Sequence, residues 1–373
     1  MRISGRLAWP ALVLAVAACS SKTAPIAIGL AGPFSTERGQ SMRDAAELAV
    51  AEINQAGGIH GRTLKLVVRD DSANAERAMA VARAFYADPT VVAVVGHLTS
   101  GTTLAAAPVY NGGDTPLVEI SPSASSPELS SAGPYTFRVC PTDLLHGSRL
   151  AAWAFDRLHA KRAAVLYIND AYGRGVRRVF ERSFTARGGT IVSDDPYLLD
   201  LPSFGPYLRL VLQRGGADVL MIAGTQAGAE RILPALKTVG WSPTVMGGDG
   251  LTGIEKSSVD ANGVYISSAY LPDRPGAANQ KFVAAYAKAY PGKMPDHRGA
   301  GAYDIIHLLA RALEATGPDR TKLRDYLAGV GTRTPAYDGV TGRIAFDSSG
   351  DVPDKDVVIG VVHDGHLVTA GGQ

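Results

Sequence analysis

Pro25-Ile26-Ala27-Ile28-Gly29-Leu30, followed by residues 39–56 and then Gly57-Gly58, decides the fold. The first stretch is continuously apolar, as a strand buried on both faces of a parallel sheet must be. In the second, Ala45, Leu48, Ala49, Ala51 and Ile53 recur at helical spacing, and the glycine pair supplies the left-handed φ on which helices end. A strand and its crossover helix are therefore in place at the start.

The unit repeats. Strands are expected at 64–68, 91–95 and 116–120, with helices at 75–86 and 103–110 between them. After Cys140 the rhythm restarts: helix 145–159, strand 163–168, helix 175–187, strand 190–192, helix 204–214, strand 219–222, helix 229–239 and strand 244–246. Such alternation specifies a parallel sheet covered by helices. Residues 277–290, 302–315 and 321–327 read as helices, and 342–346 and 357–362 as short strands. Crossings expected near 140–143, 271–274 and 337–342 give an N-terminal lobe of 25–142 plus 273–341 and a C-terminal lobe of 143–272 plus 342–373. The expected fold is α/β: two Rossmann-like lobes with parallel central sheets, joined by a three-segment hinge.

The N-terminus carries an address. Arg2 and Arg6 precede a short apolar core containing Leu12, Val13, Leu14 and Val16, the pattern of a secretion signal over residues 1–18. Val16-Ala17-Ala18-Cys19 resembles the lipobox of bacterial lipoproteins, with Cys19 as the lipidated residue and 19–24 as a tether. A membrane span needs about 20 apolar residues and this stretch is shorter. By the same resemblance, Ser20 favours the outer membrane in a Gram-negative cell. The expected location is the periplasm, with lipid at Cys19 as the membrane anchor.

Removing the leader from 373 residues leaves about 350, more than one compact core accommodates. Cys140 is then the remaining thiol, so no disulfide within the chain is expected and stability rests on packing. The net charge of +2, with Lys and Arg scattered, offers no basic face for nucleic acid.

Ligands in open α/β sheets sit beyond the carboxyl ends of the strands. Two loops at such ends are rich in hydroxyls: Gly96 to Thr103, holding Thr99, Ser100 and Thr102, and Ser121 to Glu128, holding Ser123, Ala124 and Ser125. A helix N-terminus with small hydroxyl residues suits an anion such as a carboxylate. The same residues also serve as plain N-caps, and both readings stand. In the other half, Tyr172 follows strand 163–168, and Asp249 lies among Gly247, Gly248 and Gly250. Asp249 either meets a ligand ammonium or stabilises a glycine turn, and Tyr172 either contacts a ligand or packs at a helix start.

These stretches, taken with Gly32-Pro33, Gly39, residues 48–54, Ile59, Gly61, Asp70-Asp71 and Val94 to Leu98, resemble the type I periplasmic binding proteins of the leucine/isoleucine/valine transport family. The likeness runs through nearly the whole mature chain in family order. It implies a solute-binding protein of an ABC transporter that closes on an amino-acid-like zwitterion. The loops at Thr99–Thr102 and Ser123–Ser125 would take the α-carboxylate, and Tyr172 and Asp249 the amino group. It further implies a membrane permease as partner, a monomer, and no cofactor. Two departures stand out. The cysteines that relatives carry near Asp71-Ser72 and Thr99 are missing, and Glu37-Arg38 and Thr225 replace tyrosines of the pocket wall. Arg38 facing the cleft would favour an extra anionic group; on an exposed loop it would play no part.

An enzyme would need a reactive constellation. No Gly-x-Gly-x-x-Gly follows the first strand, and neither a Lys-Ser/Thr phosphate loop nor a nucleophile elbow around Ser100 is present. His363-Asp364-Gly365-His366 reads as a hairpin turn and lacks a third ligand for a metal. A ligand-sensing or accessory lipoprotein of the same fold, or a binder of a ligand other than an amino acid, remains the alternative.

Overall fold

The computed structural model describes residues 24–257 and 259–371. The expected leader, Cys19 and the tether up to Thr23 lie outside the described residues. The chain begins β1 (Ile26–Gly32), α1 (Glu37–Gln55), β2 (Leu64–Asp70), α2 (Ala75–Ala87), β3 (Val91–Val95), α3 (Ser100–Asn111), β4 (Val118–Ser121) and β5 (Thr136–Arg138). These strands form one sheet in the order β2-β1-β3-β4-β5, with every pairing parallel. Strands β1 and β3 are buried at every position, which is why their sequences are unbroken apolar runs.

The second run comprises α4 (Asp143–Ala152), β6 (Arg162–Ile168), α5 (Ala171–Ala186), β7 (Thr190–Tyr197), α6 (Gly205–Gln213), β8 (Val219–Ala223), α7 (Gln226–Val239), β9 (Thr244–Gly247), the single turn α8 (Ile254–Ser257) and β10 (Tyr265–Ser268). The chain then continues through α9 (Ala277–Ala289), α10 (His297–Thr316), α11 (Arg320–Leu327), β11 (Tyr337–Gly339), β12 (Gly342–Ile344), β13 (Val358–His363) and β14 (His366–Thr369). The second sheet runs β14-β13-β10-β9-β8-β6-β7, parallel except for its last two strands. Among the described residues no helix is long and apolar enough to cross a membrane.

Several expected helices begin earlier than their apolar periodicity, because polar caps start them. Thr99 accepts from the Thr102 N–H to open α3, Asp170 from Gly173 to open α5, and Asp296 from Arg298 and Gly299 to open α10. The segments read as ligand loops are thus in part first helical turns. Gly39 is required for close approach, since a Cβ there would stand 2.1 Å from the Pro33 carbonyl oxygen. Strands β5 and β10 were not expected. The helix expected to reach 159 ends at Ala152, with a π-helical turn over Trp153–Arg157 completing it.

The third crossing falls later than 337–342. Strands β11 and β12 pair in a hairpin of their own, and Ile344, Phe346 and Val352 lie in the core beneath the first sheet. Their apolar side chains hold the chain there until β13 enters the second sheet. The His363 to His366 segment is a tight turn, with Asp364 and Gly365 both at positive φ.

Candidate ligand-binding cleft

The carboxyl ends of β1, β3 and β4 face those of β6, β8 and β9 across a cavity of about 520 Å³. The first half contributes Arg38 from the first turn of α1, Thr99, Ser100 and Gly101 from the start of α3, and Ser123 after β4. The second contributes Ile168, Asp170 and Tyr172 around the start of α5, Thr225 and Gln226 at the start of α7, and Asp249 and Gly250 after β9. Both sets lie where the fold places ligands.

Asp249 is 2% exposed. Its Oδ1 accepts from the Tyr172 hydroxyl at 2.9 Å, and that hydroxyl in turn accepts from the Gly250 N–H at 2.9 Å. The Tyr172 hydroxyl is therefore committed to orienting Asp249, and the residue lines the cavity. The other carboxylate oxygen, Oδ2, accepts no hydrogen bond. His297 Nε2 lies 3.5 Å from it and His146 Nε2 4.0 Å, but burial, abetted by the Arg298 charge, pushes His297 down to about 4, and burial also lowers His146. Both imidazoles are neutral at pH 7. Burial alone would raise the Asp249 carboxyl; the charges that His146 and His297 take up in acid, with Arg298 and the Tyr172 hydroxyl, outweigh it and hold it below the ordinary value. The cleft floor thus keeps an ionised carboxylate with one oxygen uncommitted.

Opposite stands the N-terminus of α3. Its first N–H groups have no partner within the helix and carry partial positive charge. Ser100 Oγ accepts from the Ser126 N–H at 3.1 Å, so the hydroxyl locks the two loops together, and Ser100 and Gly101 line the cavity. Ser123 Oγ lies 3.3 Å from His297 Nε2 and remains at the cavity wall. Thr225 occupies the N-cap position of α7 and lines the cavity, and its hydroxyl is buried without a hydrogen-bond partner.

Not every expected residue reaches the cavity. Thr102 is buried, its hydroxyl donating to the Thr99 carbonyl at 3.0 Å, so it closes the helix cap instead. Ala124 donates its N–H to Ser121 Oγ at 2.9 Å, and the Ser125 carbonyl accepts from the Asp143 N–H at 2.8 Å. Both are buried behind Ser123. Arg38, by contrast, lines the cavity half buried, not on an exposed loop.

Sequence reasoning missed Arg298. It stands in the first turn of α10, 4% exposed, and donates to Asp296 Oδ2 (2.8 Å), to the Asp249 carbonyl (3.1 Å) and to the Thr252 carbonyl (3.4 Å). One guanidinium thereby links α10 of the first half to the Asp249 loop of the second. The signal was the polar run Asp296-His297-Arg298 ahead of an apolar helix, which marks a cap but not a reach across the cleft.

The chain is 26% identical over 347 residues to a Brucella abortus protein called Leu/Ile/Val-binding protein homolog 1, covering 91% of each. An ABC transporter substrate-binding protein from Desulfitobacterium hafniense, solved in complex with Leu, is 32% identical with a TM-score of 0.80, over 92% of this chain and 99% of that one. A branched-chain amino acid transporter substrate-binding protein from Streptococcus pneumoniae, solved with isoleucine, gives 26% and 0.81, over 92% and 97%. The family described as periplasmic binding protein matches residues 25–366, and with two parallel-sheet halves closing on a shared cleft, the chain belongs to that family.

Proposed function

We propose that this chain is the extracytoplasmic solute-binding component of an ABC transporter, a binding protein and not an enzyme, which captures an amino acid in the cleft and delivers it to a membrane permease. The observation that carries this reading is Asp249: a buried, ionised carboxylate with one uncommitted oxygen, in the lining of the same cavity as the first residues of α3. That pairing of a negative and a positive pole suits a zwitterion. The ammonium binds Asp249, which Tyr172 positions, and the α-carboxylate binds the first N–H groups of α3 with Ser123. Thr225 and Arg38 face the side chain. The relatives solved with Leu and with isoleucine support an amino acid as the class of solute.

The lobes of this reading are 25–138 with 277–352, and 144–268 with 358–371, hinged at the three connections between them. Closure around the solute and solute binding stabilise each other. Lipid at Cys19 anchors the monomer in the periplasm, near its permease.

The test is a thermal-shift and calorimetric panel on the soluble mature chain. Some α-amino acids should stabilise it, while the matching α-hydroxy acid and the matching amine without carboxylate should not. Ser123→Trp, which fills the carboxylate end, should abolish the response. Equal stabilisation by the hydroxy acid or the amine would refute the zwitterion reading.

A further inference from the structure

Among the described residues, two arginines line the cleft, Arg38 and Arg298, and their situations differ. Arg298 is satisfied by Asp296 and by two carbonyls of the opposite half. Arg38 makes no hydrogen bond or ion pair among the described residues, although it is half buried at the cavity wall. The carboxylates whose charges act on it, Asp71 and Asp170, are committed elsewhere. Asp71 binds His97 Nδ1 at 2.6 Å and the Ala73 N–H at 2.9 Å, and Asp170 caps α5 through the Gly173 N–H at 2.8 Å. Burial, with Arg298 nearby, pushes the Arg38 guanidinium down to about 10, so it remains charged while losing solvent.

A charged guanidinium withdrawn from water needs an acceptor, and its planar fork fits a carboxylate through two parallel hydrogen bonds. An aliphatic ligand side chain would leave those donors facing hydrocarbon. The cavity of about 520 Å³ leaves room beyond the amino-acid end for a further polar group.

We propose that Arg38 is a specificity-determining residue that selects a ligand with a second carboxylate, an α-amino dicarboxylic acid in preference to a branched aliphatic amino acid. This rests on the amino-acid reading above. Asp249 and α3 hold the α-amino and α-carboxylate groups, and Arg38 holds the distal carboxylate.

Isothermal titration of the ligand-stripped soluble chain tests it, with L-aspartate, L-glutamate, L-2-aminoadipate, L-leucine and the amine-free diacids succinate and glutarate. At least one amino dicarboxylate should bind about tenfold or more tightly than leucine. Arg38→Met should collapse that preference, and Arg38→Lys, which keeps charge without the fork, should restore part of it. Leucine binding as tightly as every dicarboxylate, no binding by any dicarboxylate, or an unchanged preference in Arg38→Met each overturns the inference. The first and third outcomes leave the amino-acid reading standing. Amine-free diacids binding as well as the amino diacids, and in an Arg38-dependent way, would retain Arg38 as selector and remove the amino-acid reading. The wild-type panel decides the preference by itself should a variant fold poorly.

Discussion

Asp249→Asn isolates charge from shape. The amide keeps an oxygen to accept from the Tyr172 hydroxyl at the position that Oδ1 holds at 2.9 Å, and it fills nearly the same volume at a site 2% exposed. What disappears is the negative charge proposed to meet the ligand ammonium. A hydrogen bond to a charged group contributes about 1.5–3 kcal/mol, and leaving a buried partner charge unpaired raises the cost to about 2–5 kcal/mol. The closed cleft lies in the upper range, so we expect about 3 kcal/mol, roughly a 150-fold weaker Kd. Calorimetry on the ligand found in the panel measures this directly. Ligand-induced stabilisation gives a second readout: at 100 times the wild-type Kd it amounts to about 2.7 kcal/mol, and it should shrink to a few tenths in the variant. A Kd within threefold of wild type would show that Asp249 does not meet the ligand's charge.

Three further outcomes follow from the same contacts. Arg298→Met removes the guanidinium that binds the Asp249 and Thr252 carbonyls from the opposite half, so ligand-induced compaction in small-angle scattering should diminish and Kd should rise about tenfold; unchanged compaction would remove Arg298 from the closure mechanism. His297 carries a pKa of about 4 in the fold against 6.5 outside it, so between these values the unfolded chain binds more protons and stability must fall as pH falls. The contribution is at most about 3 kcal/mol, and calorimetry from pH 7.5 to 4.5 should show His297→Gln with a shallower decline than wild type. Asp71→Ala breaks a fully buried pair with His97 and should cost about 3–5 kcal/mol, read as a melting point lower by roughly 6–10 °C; a shift under 2 °C would contradict it.

The Asp71–His97 pair also illustrates what the sequence could and could not reveal. The lack of cysteines near Asp71 and Thr99 was visible, but not that a carboxylate and an imidazole join the same two loops at 2.6 Å. Strands β1, β3 and β8 were legible because burial on both faces forces unbroken apolar runs. Strand β5 was not: it is three residues long and ends on Arg138, whose buried charge is met by Asp351, far along the chain. Asp249 was legible through its glycines. Arg298, His146 and His297 were hidden, since each acquires its role from a neighbour brought in by the fold.

The roles left to a ligand follow from which polar groups the fold has already satisfied. Tyr172, Ser100, Thr102 and Arg298 each carry hydrogen bonds that fix loops, caps or the two halves, and each is spent on arrangement. Asp249 Oδ2, Thr225 Oγ1 and the Arg38 guanidinium are held in position with bonding capacity left over. A buried polar group without a partner costs about 1–3 kcal/mol, more when charged, so a solute supplying those partners returns that free energy on binding. Asp249 and Thr225 belong to the second half and Arg38 to the first. A solute that satisfies both sides therefore binds most tightly when the halves are together. Affinity and closure thus become one equilibrium, through which a permease can distinguish the loaded protein from the empty one.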